Sequence, residues 1–120
     1  MSRVLSLSRW GLVILLSGVF GVSGVLILMG KFTPQFLAWG YPGWFVYVVG
    51  VLEVGGGAGL YHHKTYGIST LLLAFISSGA TLTHVGHHEG FVAPLPAIAL
   101  LLASFALMYL NAKHRAALIS

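Results

Sequence analysis

The sequence predicts an all-α protein, a four-transmembrane-helix bundle with both termini cytoplasmic. Three observations predict it. Apolar residues make up 58% of the 120-residue chain and charged residues only 7%, against ~25% charged in an ordinary soluble domain. The apolar residues fall into four stretches, each near the ~20 residues that cross ~30 Å of hydrocarbon. The basic residues gather on one side of those stretches. Eight charged side chains, six basic and two acidic, cannot cover the surface of a soluble domain. Disorder is excluded for the opposite reason, since disordered chains are apolar-poor and charge-rich. Residues 1–120 therefore read as a single membrane domain in contact with the lipid bilayer.

The first span is expected over 10–29 and stops at Gly30-Lys31. Arg3 and Arg9 ahead of it, with the small residues Val22-Ser23-Gly24, also fit a cleaved signal peptide. The apolar run continues to Met29, so a retained span is expected. Phe32-Thr33-Pro34 and the cluster Trp39-Gly40-Tyr41-Pro42 then read as a turn region. The second span covers 43–61, interrupted only by Glu53, and His62-His63-Lys64 forms a polar loop at headgroup level. The third covers 66–89, if it continues past His84 to Glu89, and the fourth 95–111, before the tail Lys113-His114-Arg115.

With four spans, Arg3, Arg9, Lys64, Lys113 and Arg115 share one side and only Lys31 lies on the other, which puts both termini in the cytoplasm. Trp10, Tyr61, Tyr66 and Tyr109 mark the inner interface, and Trp39, Tyr41 and Trp44 the outer one. The net charge of +4 is scattered along the chain, so no nucleic-acid partner is expected. There is no cysteine. That excludes disulfides, thiolate catalysis, iron–sulfur clusters and cysteine-bound zinc.

Lipid gives helices no hydrophobic reason to associate, so small residues must let them approach. Gly21 and Gly24 in the first span, and Gly50, Gly56 and Gly57 in the second, are the expected packing positions, with Ser17 on the same face. Thr70, Ala74, Ser77, Thr81, His84 and His88 form a stripe along the third. The fourth, whose only polar residue is Ser104, reads as the most lipid-exposed.

Glu53 is not explained by packing. It lies about 15 Å into its span by helix rise, where a carboxylate costs on the order of 2.5–3.5 kcal/mol. The second and third spans are antiparallel, and side chains lean toward the N-terminal end of their own helix. Glu53 therefore leans outward, and Thr81 and His84 lean inward toward it. The three are expected to share a hydrogen-bonded cluster, with Ser77 and Lys31 completing a buried polar pocket. Such a cluster reads in three ways: a polar staple fixing helix register, a proton-exchanging or ligand-orienting acid–histidine pair, or an acid facing another subunit of a homo-oligomer.

His84, His87 and His88 are metal-ligand types at helical spacing. Without cysteine, aspartate or a second ligand cluster they do not complete a four-ligand site, and no metal is expected. Glu89 joins them as part of a polar helix end.

Lys31-Phe32, the Trp39-Gly40-Tyr41-Pro42 turn, Gly50-Val51-Leu52-Glu53-Val54-Gly55-Gly56 and Thr83-His84, in that order, resemble the DoxX-like group of small four-helix membrane proteins. The resemblance runs from about Gly24 to Leu110. It marks Lys31, Glu53 and His84 as the group's polar positions; His87, His88 and Glu89 are not part of it. It implies a multi-pass protein of the bacterial cytoplasmic (inner) membrane. It also implies partner subunits of a membrane oxidoreductase, since similar proteins include a subunit of a thiosulfate:quinone oxidoreductase.

The expected function is thus an accessory subunit of a quinone-linked redox complex. It would have no cofactor of its own, a quinone in the Glu53–His84 pocket, and no complete enzymatic activity alone. Two alternatives stand beside it: a chaperone-like interaction protein, as broader relatives in animals suggest, and an oligomeric transporter of a small solute or proton.

Overall fold

The computed structural model describes residues 2–119, which contain five α-helices and no strand. α1 is Arg3–Leu28, α2 Thr33–Ala38, α3 Gly43–Gly59, α4 Tyr66–Gly86 and α5 Leu95–Ile119. α1, α4 and α5 are each long and apolar enough to cross a membrane; α3 is equally apolar but has 17 residues. α1, α3, α4 and α5 adjoin in a ring, α1 against α3, α3 against α4, α4 against α5 and α5 against α1. The α1–α3 and α4–α5 seams are the most extensive.

Local chemistry sets the helix ends. The Ser2 side chain accepts from the Leu5 amide and caps α1. At its other end Gly30, with φ +83°, donates to the Ile27 carbonyl while Lys31 donates to Leu26. This paired closure needs a left-handed residue, which glycine supplies. Gly40, with φ +94°, closes α2 in the same way through Leu37 and Phe36. Pro34 stands at the start of α2, where its missing N–H costs nothing. The turn region expected over 32–42 therefore contains a short helix.

Three helix bounds differ from expectation. α1 begins at Arg3 and α5 runs past the Lys113-His114-Arg115 tail to Ile119, because basic residues continue a helix readily once it emerges from apolar surroundings. α4 stops at Gly86, short of Glu89. His88 takes φ +52° and donates to Val85, and Glu89 donates to the His84 carbonyl. This is the same closure with histidine in the glycine position.

The interior divides into two halves. Val13, Leu16, Phe20, Leu60, Leu73 and Leu107 form a close-packed apolar core at the end where α1 and α4 begin. The other half is hollow. Outside, large apolar side chains such as Leu71, Phe75, Leu82 and Leu102 are exposed, while Arg9, Glu53, Ser69, Thr70, Ser77, Ser104 and Asn111 are buried. A soluble protein would reverse that arrangement. α5 is the least buried of the three long helices, although Ser104 itself is fully enclosed.

Candidate functional site

The hollow half is a cavity of about 450 Å³ bounded by α1, α2, α3 and α4, within the range of small-molecule sites. Phe36, Trp39, Tyr41 and Phe45 make an aromatic wall, and Glu53, Ser23, Gln35, Thr83 and His84 supply its polar atoms. Phe75 and Leu52 also line it although they are 76% and 38% exposed. The cavity thus opens sideways between α3 and α4.

Glu53 reaches this cavity because α1 and α3 meet closely. Val46, Gly50, Glu53, Gly56 and Gly57 form the buried face of α3. A Cβ added to Gly24 would stand 2.8 Å from the Gly50 carbonyl oxygen and 3.0 Å from the Glu53 Cβ. The bare glycine therefore admits the stem of Glu53, which is 6% exposed. Ser23, one residue earlier on α1, lines the cavity together with the carboxyl and interacts with it electrostatically. Gly50 meets Leu28 and Ile27 of α1, Gly56 meets Leu73 of α4, and Gly57 meets the Ser17 backbone. Gly21 has only open space beside it and joins the α1–α3 seam through its backbone nitrogen near Gly57.

The outer end of the cavity is tied by side chains from α4 and the α2 region. The Thr83 hydroxyl donates to the Gly79 carbonyl at 2.8 Å, so in its 2.6 Å contact with Tyr41 it must accept from the Tyr41 hydroxyl. His87 faces the Thr83 carbonyl through Nδ1 at 2.8 Å and the Trp39 carbonyl through Nε2 at 3.2 Å. A neutral imidazole can donate to only one of them at a time. Trp39 in turn meets the His84 ring edge-on, with centroids 5.2 Å apart.

The expected Glu53–Thr81–His84 cluster does not form. His84 Nδ1 pairs with Glu89 Oε1 at 2.7 Å. The reason is the closure of α4: the Glu89-to-His84 backbone bond folds the chain back and sets the Glu89 carboxyl beside the ring. Glu53 and His84 line the same cavity but, among the described residues, no hydrogen bond or ion pair joins them. Thr81 donates to the Ser77 carbonyl and Ser77 to the Leu73 carbonyl, both along α4 itself, and neither lines the cavity. Lys31 is exposed in the turn after α1. Among the described residues no three His, Cys, Asp or Glu side chains converge on a metal position. His84 and His87 are engaged as described, and His88 is exposed in its turn.

Ser23, Gln35, Phe36 and Thr83 are cavity residues that the sequence reading did not select. Pro34 and Gly40 bracketing a short apolar run were the available sign of α2 and its wall. The His84–Glu89 pair is partly exposed, at 21% and 26%, so it contributes only about 0–1 kcal/mol. Glu89→Gln is accordingly expected to lower stability by less than about 1 kcal/mol in chemical unfolding. A larger loss would mean that the pair holds the outer end of the cavity together.

No curated protein and no solved structure matches the chain. A family model does match, over residues 11–106. Together with the apolar exterior and the three membrane-length helices, it makes this an integral membrane protein, and the chain belongs to the DoxX-like family.

Proposed function

We propose that this DoxX-like protein is an accessory subunit of a membrane redox complex and that its cavity holds a quinone. The observation that carries the reading is the cavity itself, an aromatic wall with a buried carboxyl at one end and an imidazole at the other. A flat ring can lie against the wall of Phe36, Trp39 and Phe45, and two ring carbonyls need hydrogen-bonding groups on opposite sides. The lateral opening beside Phe75 gives an isoprenoid tail a way to remain in lipid.

A quinone supplies two-electron, two-proton chemistry, with electrons from a partner subunit. This chain's own part is to bind, orient and hold protons. Glu53, buried at 6% exposure with Ser23 close by, can hold a proton at its carboxyl. His84, oriented by Glu89, presents Nε2 as a donor or acceptor. In this reading α3 is the fourth crossing: seventeen residues rise about 25 Å, at the short end of the spanning range. The charge bias of the loops supports cytoplasmic termini, and membership of the DoxX-like family supports the inner membrane of a bacterium.

The test uses the purified protein and an oxidised short-tailed benzoquinone, followed by tryptophan fluorescence, because Trp39 stands in the cavity wall. Saturable quenching is expected, with affinity weakened about tenfold in Glu53→Gln. Gly79 lines the cavity and has open space where a Cβ would stand. Gly79→Phe should therefore fill the site without disturbing Glu53, and abolish quenching in a protein that still melts cooperatively. Undiminished quenching in Gly79→Phe would sink the reading.

A further inference from the structure

The end of the bundle away from the cavity gathers positive charge that no described acidic side chain balances. Arg9 of α1 is 6% exposed, and its Nε donates to Asn111 Oδ1 of α5 at 2.9 Å. Its Cζ stands 4.8 Å from the centroid of the Tyr66 ring, and the Arg115 Cζ stands equally far from the same ring. Arg115 also donates from Nε to the Tyr66 hydroxyl at 3.2 Å. Both guanidiniums thus rest on one tyrosine, and their charges act on each other.

Among the described residues neither has an acidic partner. The only two acids of the chain are Glu53, beside Ser23, and Glu89, beside His84, both remote from this corner. Among the described residues the terminal nitrogens of Arg9 and Arg115 have no acceptor. A third positive element adds to them. α4 begins at Tyr66, its N-cap Thr65 makes no side-chain capping bond, and a Cβ at Gly67 would overlap Arg115 Nη2. The Arg115 guanidinium therefore lies directly on the positive end of a helix, where a cation is unfavourable. Three like-signed groups drawn together around a buried arginine lack only an anion.

We propose that this corner binds a phosphate group, gripped by the Arg9 and Arg115 guanidiniums against the first turn of α4. Planar guanidiniums with free terminal N–H groups match phosphate oxygens in pairs. Two sources carry that chemistry, the headgroup of an anionic lipid and free inorganic phosphate.

The experiment measures thermal unfolding of the full chain in neutral detergent, titrated with short-chain phosphatidic acid, inorganic phosphate, or short-chain diacylglycerol as the uncharged control. A saturable rise in Tm is expected with phosphate-bearing additives and none with diacylglycerol. Arg115→Gln should raise the half-saturating concentration about tenfold. Gly67→Leu, which keeps both arginines but occupies the turn, should do the same. Lys113→Gln removes an equal charge from the same helix end, where the ammonium lies over Tyr109 instead; it should change the value by no more than about twofold, as a screened distant charge does. A response to inorganic phosphate assigns the site to a free anion, and a response to phosphatidic acid alone assigns it to a headgroup. Absence of saturation with both, or equal weakening by Lys113→Gln and Arg115→Gln, would overturn the proposal.

Discussion

Gly24→Val is expected to destabilise the bundle by about 3 kcal/mol, read as loss of the cooperative transition in detergent at moderate denaturant. A Cβ there would meet Val54 Cγ2 at 2.7 Å, the Gly50 carbonyl oxygen at 2.8 Å and the Glu53 Cβ at 3.0 Å. None of these can move cheaply. Val54 is β-branched and stiff, Gly50 offers backbone, and the Glu53 Cβ is fixed to its helix. α1 and α3 must part, and lipid supplies no force to draw them together again. Against this stands the better helix propensity of a non-glycine residue, at most about 1 kcal/mol, so the clash wins. Gly21→Ala is the comparison: nothing lies within 4 Å of its Cβ position, and it should be neutral or stabilising by up to about 1 kcal/mol. Equal destabilisation by the two would mean that α1 and α3 do not cross where Gly24 meets Gly50.

That contrast shows what sequence can and cannot say about this fold. Hydropathy averages over a window, so it locates apolar helices well and says nothing of which way each residue faces. Gly21 and Gly24 look alike in the sequence; only the crossing point separates them. Glu53 stands out because it is an ionisable residue within an apolar stretch, and the cost of such a group in lipid exceeds any packing use. Its inward orientation followed, and the cavity around it did not, because the aromatic wall is assembled from the six-residue α2, the turn after it and the start of α3, a stretch too short and broken to show periodicity.

His84 illustrates a different limit. The sequence places its partner across the bundle if α4 continues to Glu89. The helix instead closes at His87 with a left-handed histidine, a conformation that His adopts several-fold more readily than most side chains. A one-turn difference in the helix end moved the carboxyl of Glu89 next to the imidazole and left Glu53 to Ser23. Arg9 is harder still to read. In the sequence it reads only as one of several scattered basic residues, yet its partner Asn111 lies 102 residues away, and no local pattern joins them.

Asn111→Leu is accordingly expected to cost about 2 kcal/mol, although leucine suits lipid better than asparagine. The amide is oriented without ambiguity. Arg9 Nε can only donate, so it faces Oδ1 at 2.9 Å, and Nδ2 then donates to Thr70 Oγ1 at 3.1 Å. Thr70 spends its own proton on the Tyr66 carbonyl at 2.6 Å and is free to accept. One asparagine thus ties α1, α4 and α5 together. Hydrogen bonds between membrane helices average only about 0.6 kcal/mol, because the unfolded chain also finds partners. This one exceeds that average, since its donor is a charged group buried to 6% exposure, and a charged donor left without an acceptor costs more than a neutral one. A double-mutant cycle with Arg9→Met, measured by chemical unfolding in detergent, isolates the shared contribution. Coupling of about 1–2 kcal/mol is expected. Coupling indistinguishable from zero would show that Arg9 is held by the Tyr66 ring alone, and the two arginines would then owe their closeness to that ring rather than to the asparagine beneath them.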